Sequence, residues 1–335
     1  MSECVPFGSG HINDTFLVTT NKGRYILQRV NKKVFRIPKL VSNYELLARE
    51  IQKYQQQAQR KITPDIYTTK NGVYHYLDDE YYAWRLVEYL SGATTYDISP
   101  EPAISYQASK AIGSYQLFLN TLDPADPCDT IKGFHDLPGR LQAFLKTSET
   151  CNKNLLNSAQ NEISTVNRLA YLEKEVSGAL SGLIMRVTHN DTKLNNILFQ
   201  GEQSYVIDLD TVMRGYIMHD YGDMVRTFTS PAAEDEKELG KTFFRQEHFE
   251  ALTRGYLENL RHELSDHEKE TMLLGVYSII YEQAIRFLTD FLKGNVYYKV
   301  AYPTHNLVRT RTQLKLLEEI LEQRSFLEMI IRKNF

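Results

Sequence analysis

Thr188-His189-Asn190-Asp191-Thr192-Lys193-Leu194-Asn195-Asn196 is the stretch whose reading decides the fold. It has the form H-x-D-x-x-x-x-N, and after a short hairpin the chain reads Val206-Ile207-Asp208. Phosphoryl transfer needs this set of groups. One carboxylate orients an attacking hydroxyl and accepts its proton, while an amide and a second carboxylate hold Mg²⁺ against phosphates. Asp191 suits the first role; Asn196 and Asp208 suit the second. Lys193, two residues beyond Asp191, suits neutralising charge on a transferred phosphoryl group. Three fixed residues at fixed offsets recur by chance in roughly a few percent of chains this long, so context has to sharpen the pattern. Here a predicted strand at 185–188 precedes the motif, a second at 197–199 follows, and a third at 205–209 carries Asp208. The plain alternative is a polar turn capped by Asp191, and the apolar runs on both sides argue against it.

Outward from the motif the chain divides in two. Runs 15–20 and 24–30 are β-rich and split by the turn Asn21-Lys22-Gly23. Pro38 opens a helix to about residue 60, with Leu40, Val41, Tyr44, Leu47, Ile51 and Tyr54 at helical spacing. Strands are expected at 67–76 and 80–88, and Ser91-Gly92-Ala93 is a small-residue connector. Beyond it most of the chain reads as helix: 102–122, broken by Asp123-Pro124-Ala125-Asp126-Pro127, then 137–148 and 155–177. A compact β region at 185–209 follows, then helices at 246–263, 266–293 and 306–331. The 266–293 helix has a capping box, Ser265 with Glu268, and Gly294 just past its end. The fold class is therefore α+β and bilobal. A β-rich N-lobe spans 1–90, the connector lies at about 86–93, and a large helical C-lobe spans 91–335.

Length and composition agree. At 335 residues the chain exceeds the size at which one core usually keeps growing. A net charge of −3 argues against a general nucleic-acid binder. Cys4, Cys128 and Cys151 offer neither a disulfide framework nor a CxxC pair. No apolar run approaches the roughly 20 residues that span a bilayer, and MSECVPFGSG does not read as a signal peptide. The expectation is a cytoplasmic protein with no nucleic-acid or membrane partner. Tyrosine is in excess, 22 residues against the single Trp84.

The residues from His189 to Asn196 resemble the H-R-D-L-K-P-E-N loop of protein kinases, with His, Asp, Lys and the final Asn kept. No D-F-G or A-P-E follows. Instead come Asp208-Leu209-Asp210-Thr211-Val212-Met213-Arg214-Gly215 and His219-Asp220-Tyr221-Gly222-Asp223, which resemble the aminoglycoside phosphotransferases and choline kinases. Within that superfamily the chain is similar to bacterial N-acetylhexosamine 1-kinases from about residue 6 to about 320. Gly10-His11-Ile12-Asn13, Tyr25-Ile26-Leu27-Gln28, the blocks 186–198 and 207–211, and Asn306-Leu307-Val308-Arg309-Thr310-Arg311-Thr312-Gln313 carry the similarity. The resemblance implies a protein-kinase-like fold. It also implies transfer of the ATP γ-phosphate, with Mg²⁺, to the anomeric hydroxyl of N-acetylglucosamine or N-acetylgalactosamine. That reaction serves salvage of sugars from mucin or milk glycans, and a monomer is expected. Related chains usually carry a further segment before the glycine loop, whereas only seven residues precede Gly8 here.

On the nucleotide side, Gly8 and Gly10 would let backbone N–H groups approach phosphate. The loop precedes a strand and lacks the GK[ST] of a Walker loop. Alternation puts Ile26 and Gln28 on one face: Ile26 toward adenine, and Gln28 where protein kinases carry lysine. Gln28 can donate a hydrogen bond but brings no charge. Glu45 then lacks its usual lysine partner and reads equally well as a solvated helix residue. By resemblance, the backbone of Glu88 and Leu90 would bind the adenine edge. On the acceptor side, Arg286 and Tyr297 match substrate contacts of the N-acetylhexosamine kinases; the alternatives are a surface ion pair and a packing aromatic. His11 is a third candidate, with a turn histidine the alternative. Asp210 reads as a loop-orienting residue, with a part in holding the metal the alternative, and Asp220 and Asp223 read as supports. Two other functions compete: a phosphotransferase for another small alcohol (choline, an aminoglycoside, homoserine or another sugar), and a catalytically silent sugar- or nucleotide-binding regulator. Asp191, Asn196 and Asp208 together argue against the second.

Overall fold

The protein is described by a computed structural model covering residues 3–8 and 12–335. The expectations placed on Gly10 and His11 lie outside the described residues.

Six strands form one antiparallel sheet: β1 (Glu3–Pro6), β2 (Asp14–Thr20), β3 (Gly23–Arg29), β4 (Ile66–Tyr67), β5 (Tyr76–Leu77) and β6 (Ala83–Glu88). Their order is β1-β2-β3-β6-β4, with β5 also on β6. The β2–β3 turn closes at the expected Asn21-Lys22-Gly23, where Thr20 pairs with Gly23. The expected strand at 67–76 is only its two ends, β4 and β5. Gly72 lies between them at φ +79, and the turn closes through Thr69 N–H to the Val73 carbonyl at 2.7 Å. Helix α1 (Ile37–Ala58) carries Pro38 in its first turn, where a missing N–H costs nothing.

The large lobe begins with α2 (Pro102–Leu119) and α3 (Leu137–Thr150). The helix expected over 155–177 is three pieces: α4 (Lys153–Ser158), α5 (Gln160–Arg168) and α6 (Tyr171–Leu180). Ala159, Leu169, Leu172 and Val176 are all buried, so the chain bends twice to keep its apolar residues on one core surface. Four short strands come next, β7 (Arg186–Thr188), β8 (Ile197–Gln200), β9 (Gln203–Val206) and β10 (Met213–Gly215). Strand β9 ends before Asp208 rather than carrying it. The rest is α7 (Ile217–Phe228), α8 (Gln246–Leu260), α9 (Asp266–Leu292), α10 (His305–Glu322) and α11 (Arg324–Lys333). Helix α9 has both halves of its capping box, and the expected 306–331 helix divides at Gln323. Helix α7, unanticipated from the sequence, is buried along nearly its whole length.

Two features tie the site's elements together. Gly222 of α7 and Gly275 of α9 meet so closely that a Cβ on Gly275 would stand 2.0 Å from the Met218 carbonyl oxygen. Side chains are excluded there, and the two helix axes are drawn together. Helix α1 bridges the lobes. Leu47 and Ile51 are buried in the large-lobe core, while Leu40 belongs to a small cluster with Val30, Phe35 and Ala83. Buried Asn43 donates to the Cys128 and Val212 carbonyls at 2.8 and 3.2 Å. No described helix is long and apolar enough to cross a membrane.

Candidate active site

The candidate catalytic loop, His189 to Asn196, runs between β7 and β8 and is shaped by hydrogen bonds to its backbone. Asp220, buried on α7, accepts the N–H groups of His189 at 2.9 Å and Asn190 at 2.7 Å. Thr192 Oγ1 donates to the Asp220 carbonyl at 2.6 Å. Asn190 adopts φ +64, a left-handed conformation that Asn tolerates better than most residues. Its amide donates to the Thr188 and Thr211 carbonyls at 3.1 and 3.0 Å. The supporting role read for Asp220 is thus seen directly.

Within this loop Asp191 Oδ2 meets Lys193 Nζ at 2.7 Å. Asn196 Nδ2 donates to the Asp191 carbonyl at 2.7 Å and to Oδ2 at 3.0 Å. Burial pushes the Asp191 carboxyl up, but the Lys193 ammonium and the Asn196 amide outweigh it and hold the group below the ordinary range. Lys193 responds reciprocally: burial opposes its charge, and Asp191 and Asp208 more than restore it.

Asp208 also sits at positive φ, +61. Burial, reinforced by the neighbouring Asp210, pushes its carboxyl up to about 6. That is an under-compensated negative charge. Asn196 spends its N–H₂ on Asp191, which leaves its Oδ1 as the oxygen for a cation. A carboxylate and an amide oxygen are hard donors of the kind Mg²⁺ takes, with waters and phosphates completing its shell. The residues therefore fit a divalent cation. Among the described residues there is no cluster of three His, Cys, Asp or Glu side chains that would hold a metal alone.

Across the cleft, Gln28 pairs with Arg85 in the β3–β6 register and Ile26 with Val87. Arg85 was not anticipated. It is buried, bonded to Asp210, and its Nε donates to Gln28 Oε1 at 2.9 Å. That bond fixes the Gln28 amide with its N–H₂ turned away, 3.4 Å from Thr15 Oγ1. Asp210 also accepts from Asn13 Nδ2 at 2.6 Å. The charge missing at Gln28 is thus present one strand over, in a pair linking the sheet to the Asp208 loop. Glu45, the helix glutamate without a lysine, accepts instead from the Tyr74 N–H at 2.7 Å and lies 2.6 Å from His75 Nδ1. Gly8 has φ +78, and the loop is closed by Phe7 N–H to the Thr15 carbonyl at 2.9 Å. The Glu88 carboxylate is engaged by Lys61 at 2.7 Å, and the Leu90 carbonyl accepts from Ala93 at 3.2 Å.

Beside Asp191 lies a cavity of about 40 Å³. Its polar walls come from the catalytic loop, from Asp223 and Arg226 of α7, and from Glu282, Gln283 and Arg286 of α9; His135 and Phe134 close another side. The expected Arg286 therefore shares a cavity with Asp191. Tyr297 does not line it. It is 63% exposed, next to Tyr298, whose ring lies 5.7 Å from the Arg286 guanidinium. Asp290 builds this loop by accepting the N–H groups of Val296, Tyr297 and Tyr298 at 2.8–3.0 Å. Asn306 Nδ2 steadies Asp290 at 2.8 Å, giving the Asn306 block a structural task.

Residues 3–258 match the phosphotransferase enzyme family. The chain belongs to that family. Solved structures with the same fold include a microcompartment-associated aminopropanol kinase, with 16% identity, a TM-score of 0.67, and 97% of this chain and 93% of that one covered. An amicoumacin kinase in complex with AMP-PNP and Ca²⁺ matches with 13% identity, a TM-score of 0.59, and 93% and 87% covered. A choline/ethanolamine kinase family protein from Mesorhizobium loti matches with 17% identity, a TM-score of 0.55, and 99% and 93% covered. The phosphotransferase thus has the kinase-like arrangement of a small antiparallel N-lobe on a larger helical C-lobe.

Proposed function

We propose that this phosphotransferase moves the γ-phosphate of ATP to the anomeric hydroxyl of an N-acetylhexosamine, N-acetylglucosamine or N-acetylgalactosamine. In this reading Asp191 orients the C1 hydroxyl and takes its proton as the new O–P bond forms. The bond from Pγ to the β-phosphate bridging oxygen breaks, and ADP leaves with that electron pair. An anomeric hydroxyl is more acidic than an ordinary alcohol, so a base held below the usual carboxylate range still suffices. Lys193, in contact with Asp191, offsets charge on the transferred group. Asn196 and Asp208 would hold a divalent cation, which shields the phosphate oxygens. Below about pH 6 protons compete for Asp208.

The observation that carries the acceptor assignment is the charge balance of the cavity beside Asp191. Three carboxylates, Asp191, Asp223 and Glu282, face two arginines, Arg226 and Arg286, and His135. Burial opposes the charge on His135, but Glu282 and Asp223 hold its pKa above the ordinary value. Lys193 pairs with Asp191 and Arg226 with Asp223, and Arg286 stands with Glu282, so the wall's permanent charges match and suit a neutral polar acceptor better than a cation. The similarity of the Asn306–Gln313 block to N-acetylhexosamine kinases supports the same choice.

A second reading, an amino alcohol, is favoured by one observation, the buried carboxylate of Glu282. The names of the aminopropanol and choline/ethanolamine kinases point the same way. A turnover panel with ATP and Mg²⁺ separates the two. N-acetylglucosamine or N-acetylgalactosamine is expected to exceed aminopropanol, choline and aminoglycosides by at least about 100-fold in kcat/KM. Turnover confined to the amines would reject the sugar reading and leave the family assignment intact.

A further inference from the structure

Glu282 is 2% exposed and accepts a hydrogen bond at neither carboxylate oxygen among the described residues. The nearest basic groups, His135 Nδ1 at 3.5 Å and Arg140 Nε at 3.8 Å, make no hydrogen bond to it. Those two nitrogens are themselves buried and unpartnered among the described residues. A buried carboxylate with open lone pairs costs a fold several hydrogen bonds' worth of solvation, so such a group calls for a partner that arrives later. Glu282 lines the cavity that Asp191 also lines.

Its surroundings specify that partner. Arg140 and Arg286, both permanently charged, stand close enough to offset its charge, so the missing element is a hydrogen-bond donor rather than a positive charge. Arg286 lies one helical turn on and presents donors; its guanidinium binds Gln283 Oε1 at 2.9 Å rather than a carboxylate. An acceptor and a donor four residues apart on one helix face form a pair that can read adjacent polar groups on a ring. His135 extends the set to the catalytic loop, with Nε2 3.1 Å from the Asn190 carbonyl, next to Asp191. Glu282, Arg286 and Asp290, the charged residues of α9 beyond Glu270, form a stripe that also connects the site to the Tyr297 loop.

We infer that Glu282 is a specificity-determining residue that accepts a hydrogen bond from a hydroxyl or amide N–H of a neutral acceptor, while Asp191 holds the reacting hydroxyl. The inference rests on the N-acetylhexosamine reading above. It goes further by naming the side chain that selects a donor at a non-reacting position.

The test uses the full chain with ATP, Mg²⁺ and the N-acetylhexosamine that it turns over, together with that sugar's monodeoxy analogues and the sugar lacking the acetamido group. Glu282→Gln is expected to raise the acceptor KM about 10- to 100-fold, the scale of a hydrogen bond to a charged group, and to leave the ATP KM within about twofold. One analogue should lose a similar factor in the unaltered chain and lose nothing further in Glu282→Gln. An unchanged acceptor KM, or no analogue whose penalty depends on residue 282, overturns the assignment while leaving sugar phosphorylation standing. Turnover of amines alone overturns both, and the panel shows this before any substitution is made. Should Glu282→Gln fail to fold, Glu282→Asp, which withdraws the carboxylate by one methylene, is measured in the same series with the same coupling expected.

Discussion

Replacing Asp191 with Asn is expected to lower kcat by about 10²- to 10⁴-fold while ATP affinity changes less than about threefold. The substitution keeps the side chain's shape and its contact with the Asn196 amide. It removes the oxygen that can take a proton and the charge that Lys193 contacts at 2.7 Å. ATP affinity should survive because Asn196, Asp208, Gln28 and the glycine loop are untouched. Steady-state kinetics and nucleotide titration check the two halves separately. An Asp191→Asn chain with near-normal kcat would remove Asp191 from the role of base. Loss of ATP binding alongside kcat would make it a structural residue of the loop.

The second large effect concerns stability. Arg85→Met is expected to destabilise the fold by about 3–5 kcal/mol, because it strands a buried carboxylate. Side-chain exposure is only 4% for Arg85 and 2% for Asp210, so water cannot replace the lost partner. The unfolding midpoint should fall by several degrees, and Asp210→Asn added to Arg85→Met should recover part of the loss. The ATP KM should also rise about 3- to 10-fold, because the Gln28 amide loses the donor that fixes its orientation. A loss below about 1 kcal/mol would show that the Arg85–Asp210 pair is not buried in solution.

Each part of the molecule was legible in the sequence to the extent that it leaves a local signal. The loop from His189 to Asn196 was legible as a candidate site because its residues are contiguous and at the spacing phosphoryl transfer would need. Sheet and helix positions were legible where periodicity ran long, as in β2, β3, α1 and α9. Helix α7 was missed because it is buried on nearly every face and carries His219, Asp220 and Asp223 where an apolar stripe is expected. Asp220 serves the loop above it and Asp223 pairs with Arg226, so buried polar residues stand where an apolar face is expected. The bends at Ala159 and Leu169 were invisible because neither glycine nor proline marks them; the curvature of the core does.

Arg85 escapes a reading of β3 alone, because the charge that β3 lacks sits on its cross-strand neighbour. Cross-strand register cannot be read from one strand. Glu282 did leave a trace. Residues 282, 286 and 290 stand at intervals of four and are the charged residues of α9 beyond Glu270. Arg286 was picked out by family resemblance, and the stripe it belongs to would have named Glu282 as well.

The most direct test of the central claim is where the phosphate lands. With ATP, Mg²⁺ and N-acetylglucosamine or N-acetylgalactosamine, ³¹P NMR of the product is predicted to show a phosphorus coupled to the anomeric proton, a sugar 1-phosphate. A phosphorus coupled instead to the C6 protons, or product formed only from amino alcohols, would contradict the account.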